Sequence, residues 1–333
     1  MPLFGKKGKA TTDPTRLFYA SDIHGSQPTF RKFLNAAKFY DVDSLVFGGD
    51  LMGKLLIPLV RDARGTWRAR LQGQNHHLTS PEQLAEFTKN LETLGFYWQE
   101  MDPEEYGQYE GNQEKIDGLF DVLARQRLAE WVELAEERLA GTQVTCYLCG
   151  GNDDTDEVLK ALEDVPQDRV VNCENRVVPL DDEHVMATVG YSTPTPWDTP
   201  RERTDEEIAV VIEDLVRDVE DPSRCVFNFH VPPLDSTLDT CLKLDASDWP
   251  PTPVIENGQP VYYGAGAQAV TDALERYQPT VGLHGHIHES RGATRFGRTP
   301  AFNPGSEYGE GVLRGLIVAV RGGEVVGHQF TSG

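Results

Sequence analysis

Leu17-Phe-Tyr-Ala-Ser-Asp22-Ile-His24-Gly25 is an apolar run that ends on two side chains of the kind that hold metals. Four later segments repeat the arrangement. Leu45-Val-Phe47 precedes Gly48-Gly49-Asp50, and Val144-Thr-Cys-Tyr-Leu-Cys149 precedes Gly150-Gly151-Asn152. Val226-Phe-Asn-Phe229 precedes His230, and Val281-Gly-Leu283 precedes His284-Gly285-His286-Ile287-His288. Short runs rich in Val, Leu and aromatic residues, closed by Gly, read as strands buried on both faces. In open α/β sheets the carboxyl ends of such strands face the ligand crevice. The five segments therefore bring Asp22, His24, Asp50, Asn152, His230, His286 and His288 toward one site, and they use four of the nine histidines. Two adjacent divalent cations sharing a bridging carboxylate need a donor set of this size.

In chain order the segments read D-x-H, G-D, G-N-D-D, H and G-H-x-H over about 270 residues. This string resembles that of the calcineurin-like metallophosphoesterase superfamily. The resemblance implies a four-layer α/β/β/α sandwich of two mixed sheets flanked by helices. It also implies a dinuclear metal-dependent phosphoesterase, in which a metal-bridging hydroxide attacks phosphorus in line. Carried over residue by residue, the first metal takes Asp22, His24, Asp50 and His288, and the second takes Asp50, Asn152, His230 and His286. Mixed imidazole and carboxylate donors suit Mn2+ first, with Fe, Zn or Ni as alternatives, over Ca or Mg.

One position departs from the family pattern. Where relatives carry a histidine that is not a ligand and serves the leaving oxygen, this chain has Asp153. A carboxylate is a poor acid at neutral pH unless burial or a neighbouring carboxylate raises its pKa. Three readings stay open: Asp153 acts as the acid, the extra His284 supplies the proton, or only good leaving groups are handled. The substitution also keeps a non-catalytic scaffold of the same fold in view, although no metal ligand is missing. The substrate class stays open as well.

The chain has 333 residues and a formal net charge of −22, with a sequence pI near 4.7. Binding of long nucleic acids depends on Lys and Arg neutralising phosphates, so this surface disfavours a nuclease and favours a small phosphate ester. No run approaches the roughly 18 apolar residues of a membrane span. The basic N-terminus lacks an apolar segment behind it, which argues against a secretory signal and for a flexible tail over residues 1–15. Cys146 and Cys149 have metal-type spacing but no second pair, and on a strand they face opposite sides, so they read as core residues. Nothing calls for an oxidising compartment, and a cytoplasmic location is expected.

One metallophosphoesterase domain is expected over residues 16–333, interrupted by a helical insertion at about 55–142. Ser80-Pro81-Glu82-Gln83 is a helix start, and apolar residues from Ile116 to Leu139 recur at helical spacing. Because the insertion leaves the chain just after Asp50, it reads as a cap over the site or a homodimer contact. His76 and His77 fall in an apparent polar turn, and Arg61, Arg64, Arg68 and Arg70 form the densest basic cluster. Trp197, in the Pro-rich loop Tyr191–Pro200, either stacks on an aromatic leaving group or anchors the loop. Thr204-Asp-Glu-Glu207 is a capping box, Asn303-Pro-Gly-Ser306 resembles a turn that closes the site wall in relatives, and residues 316–326 read as a hairpin.

Overall fold

The computed structural model describes residues 13–164, 166–247 and 249–333. Residues 1–12 of the expected tail lie outside the described residues, and Thr15 already begins the first strand.

Two six-stranded mixed sheets form the body. The first has the strand order Glu324–Ser332, Arg314–Arg321, Thr15–Ala20, Ser44–Phe47, Thr145–Leu148, Val170–Asn172. Its last four strands are parallel, and the C-terminal hairpin joins antiparallel. The second sheet runs Gly292–Phe296, Thr299–Asn303, Val281–Leu283, Cys225–Phe229, Val185–Val189, Val177–Pro179, with four parallel strands at its centre.

The period-two alternation of side chains assigns each face of the first sheet. Leu17, Tyr19, Val46 and Tyr147 join Met186, Val226, Val281 and Leu283 in one apolar cluster, so these faces of the two sheets pack on each other. Phe18, Ala20, Leu45, Phe47 and Leu148 point the other way, onto helices. Cys146 and Cys149 fall in these two different clusters, as expected for strand neighbours three apart.

Helix Gln27–Phe39 buries Phe30, Phe33, Leu34 and Ala37 at spacings of three and four. It meets the long helix Gln113–Leu139, where Trp131 stacks on Phe30 at 4.2 Å and donates its indole N–H to Gln27. The second sheet is covered by helices Asp205–Val216 and Gln268–Tyr277 through Ile208, Ile212, Val270 and Leu274. The Thr204 capping box is complete.

The insertion is not all helical. It opens with a four-stranded sheet ordered Gln74–Leu78, Trp67–Leu71, Leu56–Arg61, Tyr97–Met101, which closes its own core against helix Pro81–Thr93 through Ile57, Leu59, Trp67, Phe87 and Leu91. The physical reason lies in Trp67-Arg-Ala-Arg-Leu71, which alternates buried and exposed at period two. Gln72 and Gly73, with φ of 49° and 79°, supply the two left-handed residues of a tight hairpin turn. His76 and His77 therefore sit on a strand: His76 packs on Phe87, and His77 meets the Thr66 hydroxyl. Arg61, Arg68 and Arg70 are strand residues as well, not a helix face. The segment after Thr155 forms two one-turn helices, Asp156–Leu159 and Ala161–Asp164. Among the described residues no helix is long and apolar enough to cross a membrane.

Replacing Trp131 by Ala empties the junction of two helices and the first sheet. It is expected to lower unfolding stability by about 3–5 kcal/mol in urea titrations. Thr204→Ala, which loses only the cap, is expected to cost about 1 kcal/mol.

Candidate metal centre

The strand ends of both sheets meet at one cleft. Asp22 and His24 follow the strand Thr15–Ala20, Asp50 follows Ser44–Phe47, and Asn152 and Asp153 follow Thr145–Leu148. From the other sheet come His230 after Cys225–Phe229, and His286 and His288 after Val281–Leu283. The five segments thus converge from two sheets.

The turns that carry these side chains are strained. Asp22, His24, Asp50 and His286 have φ of 57°, 41°, 60° and 65°, the left-handed region. Such backbone costs a non-Gly residue on the order of 1–3 kcal/mol and persists only where surrounding structure enforces it. The enforcing bonds are present. The Asp22, His24 and Gly25 amides donate to the carbonyls of Gly49, Asp50 and Leu51 at 2.9, 3.1 and 2.8 Å. Across the sheets, the His286 amide donates to both oxygens of Asp22 at 3.1 Å, and Ser306 Oγ donates to the Asp22 carbonyl at 2.6 Å. Asn303 holds the same wall by donating its amide to the Ile287 carbonyl. Two glycines allow the close approach. A Cβ on Gly151 would lie 2.2 Å from Asp50 Oδ1, and one on Gly285 would lie 2.5 Å from Asp22 Oδ2.

The side chains interlock. His24 Nε2 lies 3.1 Å from His288 Nε2 and 3.5 Å from Asp50 Oδ2. His288 Nε2 is 3.5 Å from Asp22 Oδ1. His230 Nε2 is 3.0 Å from Asn152 Oδ1, 3.5 Å from Asp50 Oδ2 and 4.0 Å from Asp22 Oδ1. The His286 ring centre stands 5.3 Å from that of His230. In Asp22, His24 and His288, one ligand atom from each lies within 4.8 Å of the others, and the same holds for Asp22, Asp50 and His230.

This arrangement calls for positive charge between the side chains. His230 Nδ1 is 2.7 Å from the Gly48 carbonyl, which fixes the N–H there and turns Nε2 toward Asn152 Oδ1. Those two lone pairs repel unless a proton or a cation stands between them. Burial would lower the His230 pKa, but the Asp50 carboxylate outweighs it and lifts it to about 10. Burial alone would raise Asp22, yet His288 and His230 hold it near 2. His286 is pushed down to about 4 by burial and by the neighbouring His230, which leaves a neutral imidazole able to donate a lone pair. Anionic Asp22 and neutral His286 have the protonation states a divalent cation requires, and the proton that Asp50 holds on His230 is one a bound cation would displace.

Asp153 is in the cleft. Its Oδ2 lies 3.4 Å from His24 Nδ1 and 3.0 Å from Lys54 Nζ, and its amide donates to Asp50 Oδ1 at 3.0 Å. Burial and the Asp50 charge raise its pKa to about 6 in spite of Lys54. His284 is elsewhere. Its Nδ1 bonds the Phe229 carbonyl at 2.9 Å, and its Nε2 lies against the Cα of Gly282, where a Cβ would come within 2.7 Å. The ring is buried in the second sheet, and burial lowers its pKa to about 4. Neither ring nitrogen reaches the cleft.

The cleft encloses about 410 Å³. Opposite the ligands it is lined by Pro194, Pro196, Trp197, Leu242, Leu244 and Tyr263. The last three belong to an arm of short ladders between Thr240 and Gly264, whose tip carries Trp249 edge-on to Trp197 at 5.8 Å. The arm's strands have only two or three residues, too few for a periodic signal. Of the insertion, only Lys54 at its entry lines the cleft, and the two sheet histidines and the arginine cluster do not.

No family model matches the chain. The uncharacterized protein MJ1162 of Methanocaldococcus jannaschii is 25% identical over 156 residues, 46% of this chain and 61% of that protein. The chain thus covers less than two thirds of this relative. Among solved structures, TT1561 of Thermus thermophilus is 12% identical with a TM-score of 0.54, covering 96% of this chain and 98% of that one. A second crystal structure is 15% identical with a TM-score of 0.58, covering the same shares. At these identities the likeness is one of fold.

Divalent cations that bind here should stabilise the folded state by mass action. Adding Mn2+ to chelator-treated protein is expected to raise the melting temperature, and EDTA to reverse the rise. In Gly151→Ala the new methyl displaces the Asp50 carboxylate, so Mn2+ affinity by calorimetry is expected to fall at least about tenfold.

Proposed function

We propose that this chain has the fold of the calcineurin-like metallophosphoesterases, on its motif string and two-sheet body, and is a dinuclear metal-dependent phosphoric ester hydrolase, with phosphodiesters the favoured class. The observation that carries the reading is the convergence of Asp22, His24, Asp50, Asn152, His230, His286 and His288 on one cleft, on strained turns that packing alone does not require. Asp22, His24, Asp50 and His288 would hold one cation, Asp50, Asn152, His230 and His286 the other, and Asp50 would be shared. Mn2+ is the first choice for this donor set, with Fe, Zn or Ni close behind. Bound cations would supply charge neutralisation at the phosphoryl oxygens and an activated water.

The remaining work falls to the chain itself. The Gly48 carbonyl orients His230, the His286 amide orients Asp22, and the Asp153 amide orients Asp50. These bonds fix the shell before substrate arrives, so no reorganisation is needed during reaction. The wall of Trp197, Leu242, Leu244 and Tyr263 offers an ester group an apolar, stacking surface. A small ester with an aromatic or apolar substituent fits that wall. An acidic chain of net charge −22 disfavours a long polyanion. The three apolar clusters support a four-layer α/β/β/α reading of the body, with residues 16–333 as one domain carrying the insertion.

Purified protein is expected to carry about two metal equivalents and to hydrolyse an aryl phosphodiester with Mn2+. Asp50→Asn and His286→Ala are each expected to abolish that turnover, and full activity in both would sink the proposal. Binding of two cations with no turnover on any aryl ester would favour the scaffold reading. Trp197→Ala is expected to raise KM for aryl esters several-fold while leaving that for a methyl ester unchanged, as steady-state kinetics on the two series would show.

A further inference from the structure

Among the described residues lining the cleft there is one Lys or Arg side chain, and its sequence context does not mark it. It is Lys54, placed four residues after Asp50. Its turn is clamped on both sides. The Leu51 and Met52 amides donate to the buried Asp154 carboxylate at 3.0 and 2.7 Å, and the Gly53 amide donates to Tyr97 Oη at 2.8 Å. Gly53 also packs so closely on Gly95 that a Cβ would come within 1.9 Å of its carbonyl oxygen. The backbone that carries Lys54 is therefore fixed to the strand end of the first sheet and to the insertion at once.

From that turn Nζ reaches Asp153 Oδ2 at 3.0 Å, and the same oxygen lies 3.4 Å from His24 Nδ1. A bare carboxylate at this place would repel an incoming phosphate. The Lys54–Asp153 pair removes the repulsion. An ammonium has three donors; one faces Asp153, and with the side chain 45% exposed the others are open to the cleft.

We infer that Lys54 is a catalytic residue that donates to a phosphoryl or leaving-group oxygen from beside the metal ligands, and that Asp153 is the positioning residue that aims it. The pair thereby stands in for the leaving-group histidine whose place Asp153 takes in this chain. The inference rests on the phosphoesterase reading and assigns Lys54 charge stabilisation only; no bond to it forms and no proton leaves it.

The test uses the metal-loaded full chain and two readouts. The first is affinity for tungstate, a non-reacting phosphate mimic, by calorimetry. The second is kcat/KM over aryl phosphodiesters whose leaving phenols span several pKa units. Lys54→Met is expected to keep the wild-type metal content and melting temperature, to weaken tungstate binding at least about tenfold, and to lower kcat/KM by about 10²–10³. The loss should grow as the phenol becomes a poorer leaving group, and Lys54→Arg should recover part of it. Asp153→Asn should lower kcat without raising KM, and the double variant should be no worse than Lys54→Met, because Asp153 acts through Lys54. Unchanged tungstate affinity together with unchanged kcat/KM in Lys54→Met would overturn the inference. Loss of bound metal in that variant would overturn it too, by making Lys54 part of the support for the metal shell. If the wild type turns over no ester, yet binds tungstate in a Lys54-dependent way, the hydrolase reading fails and the anion site of Lys54 stands.

Discussion

The His286 amide donates to both oxygens of the Asp22 carboxylate, and that bond couples the edges of two separate sheets. Asp22 and Asp50 belong to loops of the first sheet, whereas His230, His286 and His288 belong to loops of the second. A slide of one sheet over the other would therefore change every distance between the two groups of ligands. The apolar layer of Leu17, Tyr19, Val46, Val226, Val281 and Leu283 resists that slide, because close-packed side chains of two pleated faces fit in one register. The position of the ligands is thus set by hydrophobic packing well below them, and the amide–carboxylate bond transmits it to the cleft.

The cleft spends some of the stability that the layers supply. Two buried carboxylates lie close together, and four residues with side chains, on three turns, hold left-handed backbone. Each of these costs free energy. Ladder bonds between neighbouring loops, the glycines that let Asp50 and Asp22 approach their neighbours, and the rigid wall from Asn303 to Ser306 keep the strain from relaxing. A bound cation would offset the carboxylate repulsion and complete the hydrogen-bonding demands of His230 and His24.

The ligand-bearing strands are legible in the sequence because each is a short apolar run closed by Gly, and because Asp, Asn and His are rare at the ends of such runs by packing alone. Helices Pro81–Thr93, Gln113–Leu139 and Asp205–Val216 are legible from their caps and spacing. The sheet inside the insertion is not, because Gln74-Asn-His-His-Leu78 is a polar edge strand that reads as a turn. The arm Thr240–Gly264 is hidden for another reason: ladders of two or three residues carry no period. His284 shows the limit of reading by proximity. Two residues from His286, it belongs to the strand end that is still pleated, and its ring turns back into the sheet. Lys54 shows the converse, since nothing in a lysine four residues after an aspartate marks it until Asp153 is brought to it from a hundred residues away.

The division of labour around the cleft follows from where each segment leaves the body. The insertion departs right after Asp50, which makes it the natural candidate for a cap. Yet its sheet closes a separate core with helix Pro81–Thr93, its long helix packs on the body, and among its described residues only Lys54, at its entry, lines the cleft. The arm departs ten residues after His230 and returns ahead of helix Gln268–Tyr277, so both its ends are anchored beside the ligands. It is the arm, with Trp197 from the Pro-rich loop, that forms the apolar wall. Chemistry and selection are thereby carried by different parts of the chain. The ligands belong to strand ends that cannot move without breaking the core, while the wall belongs to a projecting ladder with half-exposed Trp197 and exposed Trp249 at its contact. On the proposed hydrolase reading, changes in the arm would alter which ester group is held without disturbing Asp22, Asp50 or the four histidines, so the fold would leave substrate choice free to vary at a fixed ligand set.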